Sequence, residues 1–281
     1  MNFICGTYFK HQCGLQLTDY TNARDSVFVN FQNKSLDNNL VFCKPEYLSL
    51  LSTYVKIGSV RLSDEFDLVT HNSDINFGDK EIEHVLDLFP SINKWYTQNL
   101  AFDHPKLNPI PIGIANPKWS HGNQSRFLEI MEEGQEKENK IYVNFNVSTN
   151  PPARYDCLKK ISDYYPLQNQ QNYPNAVSIK NHDDFVESTQ KDYLRDIAKS
   201  YFTVSPVGNG LDCHKTWEAI YMKSIPIVTR WHGVEKFKQL GIPIIIIDDW
   251  SELKNLNLSP ELYKKIWGDF DLNLINFELF K

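Results

Sequence analysis

Short apolar runs alternate with amphipathic stretches along most of the chain. A strand buried on both faces gives a continuous apolar run, whereas a helix that packs on a sheet repeats its apolar positions every three to four residues. The pattern predicts strands at 27–31, 40–43, 66–70, 94–97, 109–114, 140–145, 201–205, 225–229 and 242–247. It predicts helices at 46–54, 80–89, 124–136, 153–164, 183–200, 212–222, 234–240 and 260–270.

This order of strands and helices predicts an α/β architecture with doubly wound sheets. A turn-rich stretch at 116–123 and a polar stretch at 131–140 separate two halves that each have their own strands and helices. We therefore predict two Rossmann-like domains with a cleft between them, the first over residues 1–122 and the second over 123–258. The remaining residues, 259–281, are predicted to form a helical segment that packs back toward the N-terminal domain. A length of 281 residues suits this division.

Charge and cysteine content narrow the class of protein. The net charge of −6 and the lack of a basic run give little support for a nucleic-acid partner. No stretch approaches the ~20 apolar residues that span a bilayer, and the first residues do not resemble a signal peptide. The cysteines are scattered without metal-ligand spacing, which favours reduced thiols, no metal site and a cytoplasmic location without a membrane anchor. They are Cys5, Cys13, Cys43, Cys157 and Cys213.

The segment 201–228 carries the strongest functional pattern. A predicted strand ends at its start, a glycine-containing loop follows, and Asp212 is placed to cap the next helix. Ligands of open α/β sheets bind at the carboxyl ends of strands, where glycines let backbone N–H groups approach an anion. The candidate binding residues here are Ser205, Pro206, Gly208, Asn209, Gly210, Asp212, His214, Lys215 and Glu218.

Two of these side chains suit a nucleoside diphosphate. Lys215, in the first turn of the helix, would neutralise the diphosphate, and Glu218, one turn further on, would accept hydrogen bonds from ribose hydroxyls. An ordinary strand–loop–helix with a solvated lysine and glutamate explains the local pattern equally well. The chain has no Gly-x-Gly-x-x-Gly after a first strand, as a nicotinamide-dependent oxidoreductase requires, and no Gly-x-Ser-x-Gly of a hydrolase.

The same segment resembles the donor-binding signature of exostosin-like glycosyltransferases. The resemblance rests on Ser-Pro-x-Gly-Asn-Gly-x-Asp-x-His-Lys-x-Trp-Glu-Ala from Ser205, followed by Ser-Ile-Pro-Ile-Val from Ser224. It implies a GT-B fold and inverting transfer from a nucleotide sugar without an obligatory metal or other cofactor. Family members often have arginine in place of Lys215, and lysine keeps the charge but loses the bidentate fork. The small, anchorless members encoded by large algal viruses are the most similar, which implies a viral source and xylose as one donor sugar.

A second loop, after the predicted strand 140–145, adds candidates for the donor site. Asn146 and Ser148 lie in this loop, and Pro151 and Pro152 suit the start of a helix. Arg154 would then lie near the helix N-terminus, where it could bind a pyrophosphate through two parallel hydrogen bonds. The alternative is a surface arginine in a turn.

On this resemblance the N-terminal half binds the acceptor and supplies a base, since the attacking hydroxyl must lose its proton. The polar loop after the predicted strand 66–70 contains Asp74, the first candidate base, and His71, the second. Nearby negative charge also suits an oxocarbenium-like transition state. The alternative is that Asp74 only caps a turn.

The sequence therefore predicts an inverting glycosyltransferase that moves a sugar, with xylose favoured, from a UDP-sugar to a hydroxyl of a glycan acceptor. A non-catalytic nucleotide- or glycan-binding module on the same fold is the alternative, because fold does not imply activity. The presence of both Lys215 and Glu218 favours the enzyme. The sequence makes no prediction about oligomeric state.

Overall fold

The computed structural model describes residues 3–21, 27–33, 38–164 and 187–281. Its strands are β1 (Leu15–Thr21), β2 (Val27–Asn33), β3 (Leu40–Cys43), β4 (Phe66–Thr70), β5 (Ile92–Thr97), β6 (Leu107–Pro109), β7 (Glu138–Tyr142), β8 (Ser200–Val204), β9 (Ile225–Thr229) and β10 (Ile245–Ile247). Its α-helices are α1 (Gly6–His11), α2 (Leu48–Lys56), α3 (Asp79–Leu88), α4 (Gln124–Glu133), α5 (Pro151–Tyr164), α6 (Glu187–Lys199), α7 (His214–Tyr221), α8 (His232–Gln239) and α9 (Pro260–Trp267).

The strands form two sheets, one in each half of the chain. The first has the order β2-β1-β3-β4-β5-β6, with β2 antiparallel to β1 and the other pairs parallel. The second has the order β10-β9-β8-β7 and is parallel throughout the described residues. The predicted α/β architecture, with a separate sheet and its helices in each half, is confirmed.

Every predicted strand and helix corresponds to an observed one, although some bounds differ. The strand predicted at 109–114 is observed as Leu107–Pro109, so only Pro109 was placed correctly. It does not continue through the predicted range, because Pro111 cannot donate to a ladder and Gly113 has a left-handed backbone with φ of 69°. The strand predicted at 242–247 begins only at Ile245. Of the helix predicted at 183–200, residues 183–186 lie outside the described residues, and the remainder corresponds to α6. The pattern missed α1 and β1, which are short or mostly polar.

The two halves share one hydrophobic cluster. Phe3 in the N-terminal half packs its ring against Tyr221 of α7, with ring centroids 4.7 Å apart, and the Tyr221 hydroxyl accepts a hydrogen bond from the backbone N–H of Ile4 at 2.9 Å. The same cluster takes in Phe127 of α4 and Phe237 of α8. Each sheet also packs its helices over a separate cluster of its own.

Residues after α9 lie against the N-terminal half. Phe277 contacts the rings of Phe9 and Tyr96, and its backbone N–H donates to the Tyr8 hydroxyl at 3.2 Å. Phe280 packs on Trp217 of α7. The division of the chain at residue 122 and at residue 258 stays a prediction. None of the helices in the described ranges combines the length and apolar character needed to cross a bilayer.

Candidate active site

Loops that follow the carboxyl ends of parallel strands in both sheets are in contact with each other. The loop between β8 and α7 contacts the N-terminal half through Leu211, whose N–H donates to Asn76 Oδ1 at 3.2 Å, and through Asn209, whose amide lies 3.3 Å from Asp74 Oδ2. Gly210 packs so closely on Asn99 that an added Cβ would lie 2.5 Å from its amide nitrogen. The candidate donor residues and the candidate bases are therefore brought to one region.

Arg154 holds the two loops of the C-terminal sheet together. Its Nε donates to the carbonyl of Val207 at 3.0 Å, and its Nη1 donates to the carbonyl of Asn146 at 2.8 Å. Asn150 adds a bond from its amide to the carbonyl of Gly208 at 2.8 Å. Arg154 is only 8% exposed, so it is not the surface arginine of the alternative interpretation. The two bonds occupy two of the five guanidinium donors, and Nη2 lies on the side of Gly208.

Lys215 and Glu218 of α7 are joined by a tyrosine from α6. The Lys215 ammonium donates to the Tyr193 hydroxyl at 2.7 Å, and that hydroxyl donates to Glu218 Oε2 at 2.6 Å. Burial lowers the pKa of Lys215 to about 8, while the negative charge of Glu218 acts in the opposite direction. Burial and the same carboxylate raise the pKa of Tyr193. Glu218 is buried and Lys215 is half-buried, and both are hydrogen-bonded, so they are not the solvated pair of the alternative interpretation.

Several predicted donor residues shape their own loops. Asn146 Oδ1 accepts from the N–H of Ser148 at 2.9 Å and from its hydroxyl at 2.7 Å. Ser205 is buried and its hydroxyl lies 2.9 Å from Thr216 Oγ1 at the start of α7. Pro206 directly follows Ser205 and is also buried. These contacts fix the loops at the carboxyl end of the sheet and leave the roles of the side chains toward a ligand as predictions.

Asp212 does not cap the helix that follows it. The residue preceding α7 is Cys213, and its side chain makes no capping bond. The Asp212 carboxylate instead reaches the N-terminal half, where Oδ2 accepts from the N–H of Ile112 at 2.8 Å. The same oxygen accepts from Nε1 of Trp217, in α7 of the C-terminal half, at 2.8 Å. The N–H of Asp212 donates to Asn99 Oδ1 at 2.9 Å. Through these bonds Asp212 links the two halves, and its role toward the donor stays a prediction.

The buried carboxylate of Asp212 makes stability depend on pH. Burial raises the pKa of Asp212 to about 7, against about 3.9 in an unfolded chain. Between about pH 4 and pH 7 the native state therefore keeps a proton on Asp212 that the unfolded state has lost. The free energy of unfolding falls as the pH rises through this range. We expect the stability of the wild type relative to Asp212→Asn, which cannot ionise, to fall by up to about 4 kcal/mol from pH 4 to pH 7.

Urea unfolding at several pH values measures this difference, and Asp64→Asn serves as the control because Asp64 is exposed. The control should follow the wild-type pH dependence. An Asp212→Asn variant with that same dependence would show that Asp212 does not titrate in this window.

A cavity of about 380 Å³ lies at the carboxyl end of the N-terminal sheet. Asp74 and His71 both line it, as do Glu46 and Gln98. Its described lining residues fall within positions 6–119, apart from His214 at the start of α7. The cavity therefore lies where the N-terminal half meets the helix that carries Lys215 and Glu218.

His71 lines this cavity but cannot serve as the base in the conformation described. Its Nε2 lies 3.0 Å from the carbonyl of Pro111, so Nε2 carries the proton, and Nδ1 accepts from the N–H of Asn72 at 2.7 Å. Burial lowers the pKa of His71 to about 4. With both nitrogens engaged and only 1% of the residue exposed, its imidazole has no free lone pair for a substrate.

Asp74 and His214 are accessible from the cavity. Asp74 is exposed at its rim, beside the Asn209 amide. His214 is partly buried, and its Nδ1 lies 2.7 Å from the carbonyl of Gly113. Among the predicted donor residues, His214 therefore lines the same cavity as Asp74, and Asn209 contacts Asp74 from the donor loop.

Two residues of this region were missed by the sequence reasoning. Tyr193 bridges Lys215 and Glu218 from a helix that is distant in sequence. Glu46 lines the cavity, and its Oε1 accepts from the Ser73 hydroxyl at 2.6 Å. Glu46 could have been identified from the sequence, because it lies just after β3, at the carboxyl end of a strand. No local sequence pattern indicated Tyr193. Within the described ranges, no three His, Cys, Asp or Glu side chains cluster so as to hold a metal ion.

Comparison with known proteins relates the C-terminal half to one family. Residues 135–264, just under half of the chain, match the model of the RXYLT1 C-terminal domain. No curated protein matches the sequence significantly. The OtsA apo structure is 12% identical, with 82% of this chain and 67% of that chain covered and a TM-score of 0.48.

A crystal structure of the glycotransferase of kitacinnamycin is 10% identical, with 83% of this chain and 71% of that chain covered and a TM-score of 0.41. The family match includes Arg154, Tyr193, Lys215 and Glu218, and it covers the segment that resembles exostosin-like enzymes. The candidate donor residues therefore lie in a region that is similar to the RXYLT1 C-terminal domain.

Proposed function

We propose that this chain is an inverting glycosyltransferase that moves a sugar from UDP to a hydroxyl of a glycan acceptor. The observation that carries the proposal is the hydrogen-bonded Lys215–Tyr193–Glu218 chain, whose two charged residues lie on α7, the helix whose first residue, His214, lines the cavity of the other half. The match to the RXYLT1 C-terminal domain, which is xylosyltransferase-related and exostosin-like, supports transfer and makes xylose the favoured donor sugar. A viral source stays an expectation from the resemblance.

In the proposed donor complex the loops at the C-terminal sheet hold the diphosphate. The Lys215 ammonium and the remaining donors of Arg154 supply positive charge, and the glycine-containing loop supplies backbone N–H groups. Glu218 keeps one carboxylate oxygen for the ribose hydroxyls while the other accepts from Tyr193. Positive groups fixed in a buried site stabilise the charge that develops on the departing diphosphate, so the proposed reaction needs no obligatory metal.

The cavity of the N-terminal half receives the acceptor hydroxyl. Asp74, the base predicted from the sequence, lines this cavity, and its contact with Asn209 places its carboxylate beside the donor loop. A carboxylate there also favours an oxocarbenium-like transition state through its charge. A base that removes the hydroxyl proton typically contributes a factor of about 10²–10⁴ to the rate.

A panel of nucleotides and sugar nucleotides tests the proposal. We expect UDP and UDP-xylose to raise the unfolding temperature by about 5 °C or more at saturation, because a ligand that binds only the native state stabilises it. ADP and GDP serve as matched controls and should shift it less. Wild-type protein should release UDP from at least one UDP-sugar, with EDTA causing no loss.

Two outcomes contradict parts of the proposal. Binding of UDP-sugars without any release of UDP would favour a non-catalytic nucleotide-binding module. Loss of activity in EDTA that Mg²⁺ or Mn²⁺ restores would overturn the metal-free reaction.

A further inference from the structure

His214 is the described residue of the C-terminal half that lines the cavity of the N-terminal half. It is the first residue of α7, directly before Lys215, and one turn before Glu218. An imidazole at this position borders the proposed acceptor cavity on one side and the proposed donor helix on the other. A proton acceptor for transfer must lie at such a junction, because the reacting hydroxyl meets the anomeric carbon between the two substrates.

The protonation state of the His214 ring follows from its hydrogen bond. Nδ1 lies 2.7 Å from the carbonyl oxygen of Gly113, and a carbonyl oxygen can only accept, so Nδ1 carries the hydrogen. In the neutral ring Nε2 then has a free lone pair. This arrangement is the opposite of His71, whose Nε2 donates to Pro111 and whose Nδ1 is occupied by the N–H of Asn72.

The carbonyl that orients His214 is itself held from both halves. The adjacent N–H of Ile112 donates to the Asp212 carboxylate, and the N–H of Ile114 donates to the carbonyl of Ile4 at 3.0 Å. The Gly113 backbone passes so close to Ile4 that a Cβ would lie 2.2 Å from its carbonyl oxygen. The His214 ring is thus fixed by a rigid backbone segment, as a positioned base requires.

The carboxylates around the cavity are less suited to receive the proton. Glu46 accepts from the Ser73 hydroxyl at 2.6 Å, which directs one of its oxygens away from a substrate. Asp74 is exposed at the rim and lies beside the amide of Asn209, where its charge assists donor-loop contacts and the transition state. His214 combines a free lone pair, partial burial and a fixed orientation.

We infer that His214, and not Asp74, is the general base of the transfer reaction, an inference that rests on the proposed function. Nε2 removes the proton from the acceptor hydroxyl as its oxygen forms the bond to the anomeric carbon. The bond from that carbon to the diphosphate oxygen breaks, and its electron pair leaves with UDP. The imidazolium then returns its proton to solvent, so atoms and charge balance.

The substitution His214→Asn tests the inference. The asparagine amide can still donate to the Gly113 carbonyl but has no basic nitrogen. We expect UDP release from UDP-xylose, with water as the acceptor, to fall 100-fold or more while the UDP dissociation constant changes less than threefold. Added imidazole should restore part of the rate in His214→Gly. His84→Asn is the matched control, since His84 is exposed on α3, and it should keep the wild-type rate.

Asp74→Asn is measured in parallel and is expected to retain UDP binding and to lose less activity than His214→Asn. The inference is overturned if His214→Asn releases UDP at close to the wild-type rate, or if Asp74→Asn loses more activity than a His214→Asn variant that stays active. Either result leaves the proposed function intact. A wild-type protein that releases UDP from no UDP-sugar overturns the proposed function, and this inference with it. A His214→Asn protein that no longer binds UDP would show a structural role and would also overturn it.

Discussion

Replacing Glu218 by alanine is expected to weaken UDP binding about 100-fold, which corresponds to ~2.7 kcal/mol. A hydrogen bond to a charged group contributes about 1.5–3 kcal/mol, and the ribose hydroxyls would lose such an acceptor. The loss has a second part, because the carboxylate also raises the pKa of the half-buried Lys215. Without Glu218 a larger fraction of Lys215 is neutral, and the diphosphate loses positive charge.

Isothermal titration calorimetry with UDP measures the effect at pH 7 and pH 9. Glu261→Ala is the control, because Glu261 is exposed on α9, outside the described site. Tyr193→Phe should weaken binding less, about tenfold, since it removes the bridge but keeps both charged groups. Unchanged UDP affinity in Glu218→Ala would remove Glu218 from the donor site.

The substitution Gly113→Ala is expected to destabilise the protein by about 3 kcal/mol or more. A left-handed backbone costs a residue with a Cβ about 1–2 kcal/mol, and here φ is 69°. The new Cβ would also lie 2.2 Å from the carbonyl oxygen of Ile4, so the backbone itself must move. Because Ile114 and Ile4 are hydrogen-bonded at this point, the movement breaks a link inside the shared core.

Gly134→Ala is the matched control for this clash. Gly134 has a nearly identical φ of 64°, but the nearest atom to an added Cβ lies 4.0 Å away. Urea unfolding of both variants separates the backbone cost, which they share, from the clash, which only Gly113→Ala has. An equal loss of unfolding free energy in the two variants would show that the segment at Gly113 accommodates the added Cβ without further destabilisation.

The sequence predicted the parts of this site that depend on local order. The Ser205–Glu218 segment could be interpreted because strand, glycine loop and helix follow one another within a few residues. The carboxyl ends of parallel strands also lie at one edge of a sheet, so the polar loop with Asp74 could be placed beside a cavity.

The remainder depends on partners that are distant in sequence. Asp212 has the residue type and the position of a helix cap, yet its carboxylate accepts a hydrogen bond from the N–H of Ile112, 100 positions earlier. His71 is in a polar loop but is buried by Pro111 and Asn72. Tyr193 and Glu218 meet only when α6 packs beside α7. No local propensity reports these distances, because each follows from how whole elements pack.

The hydrophobic cluster that both halves share limits how such a protein can diversify. An exchange of the C-terminal half for that of a relative with another donor sugar would leave Phe3 against a new partner in place of Tyr221. The same exchange would break the bond from Ile4 to Tyr221. A working chimera must therefore include the N-terminal residues of the shared core together with the donor loops. A new donor preference is expected to arise more readily by substitution within the loops than by recombination of halves.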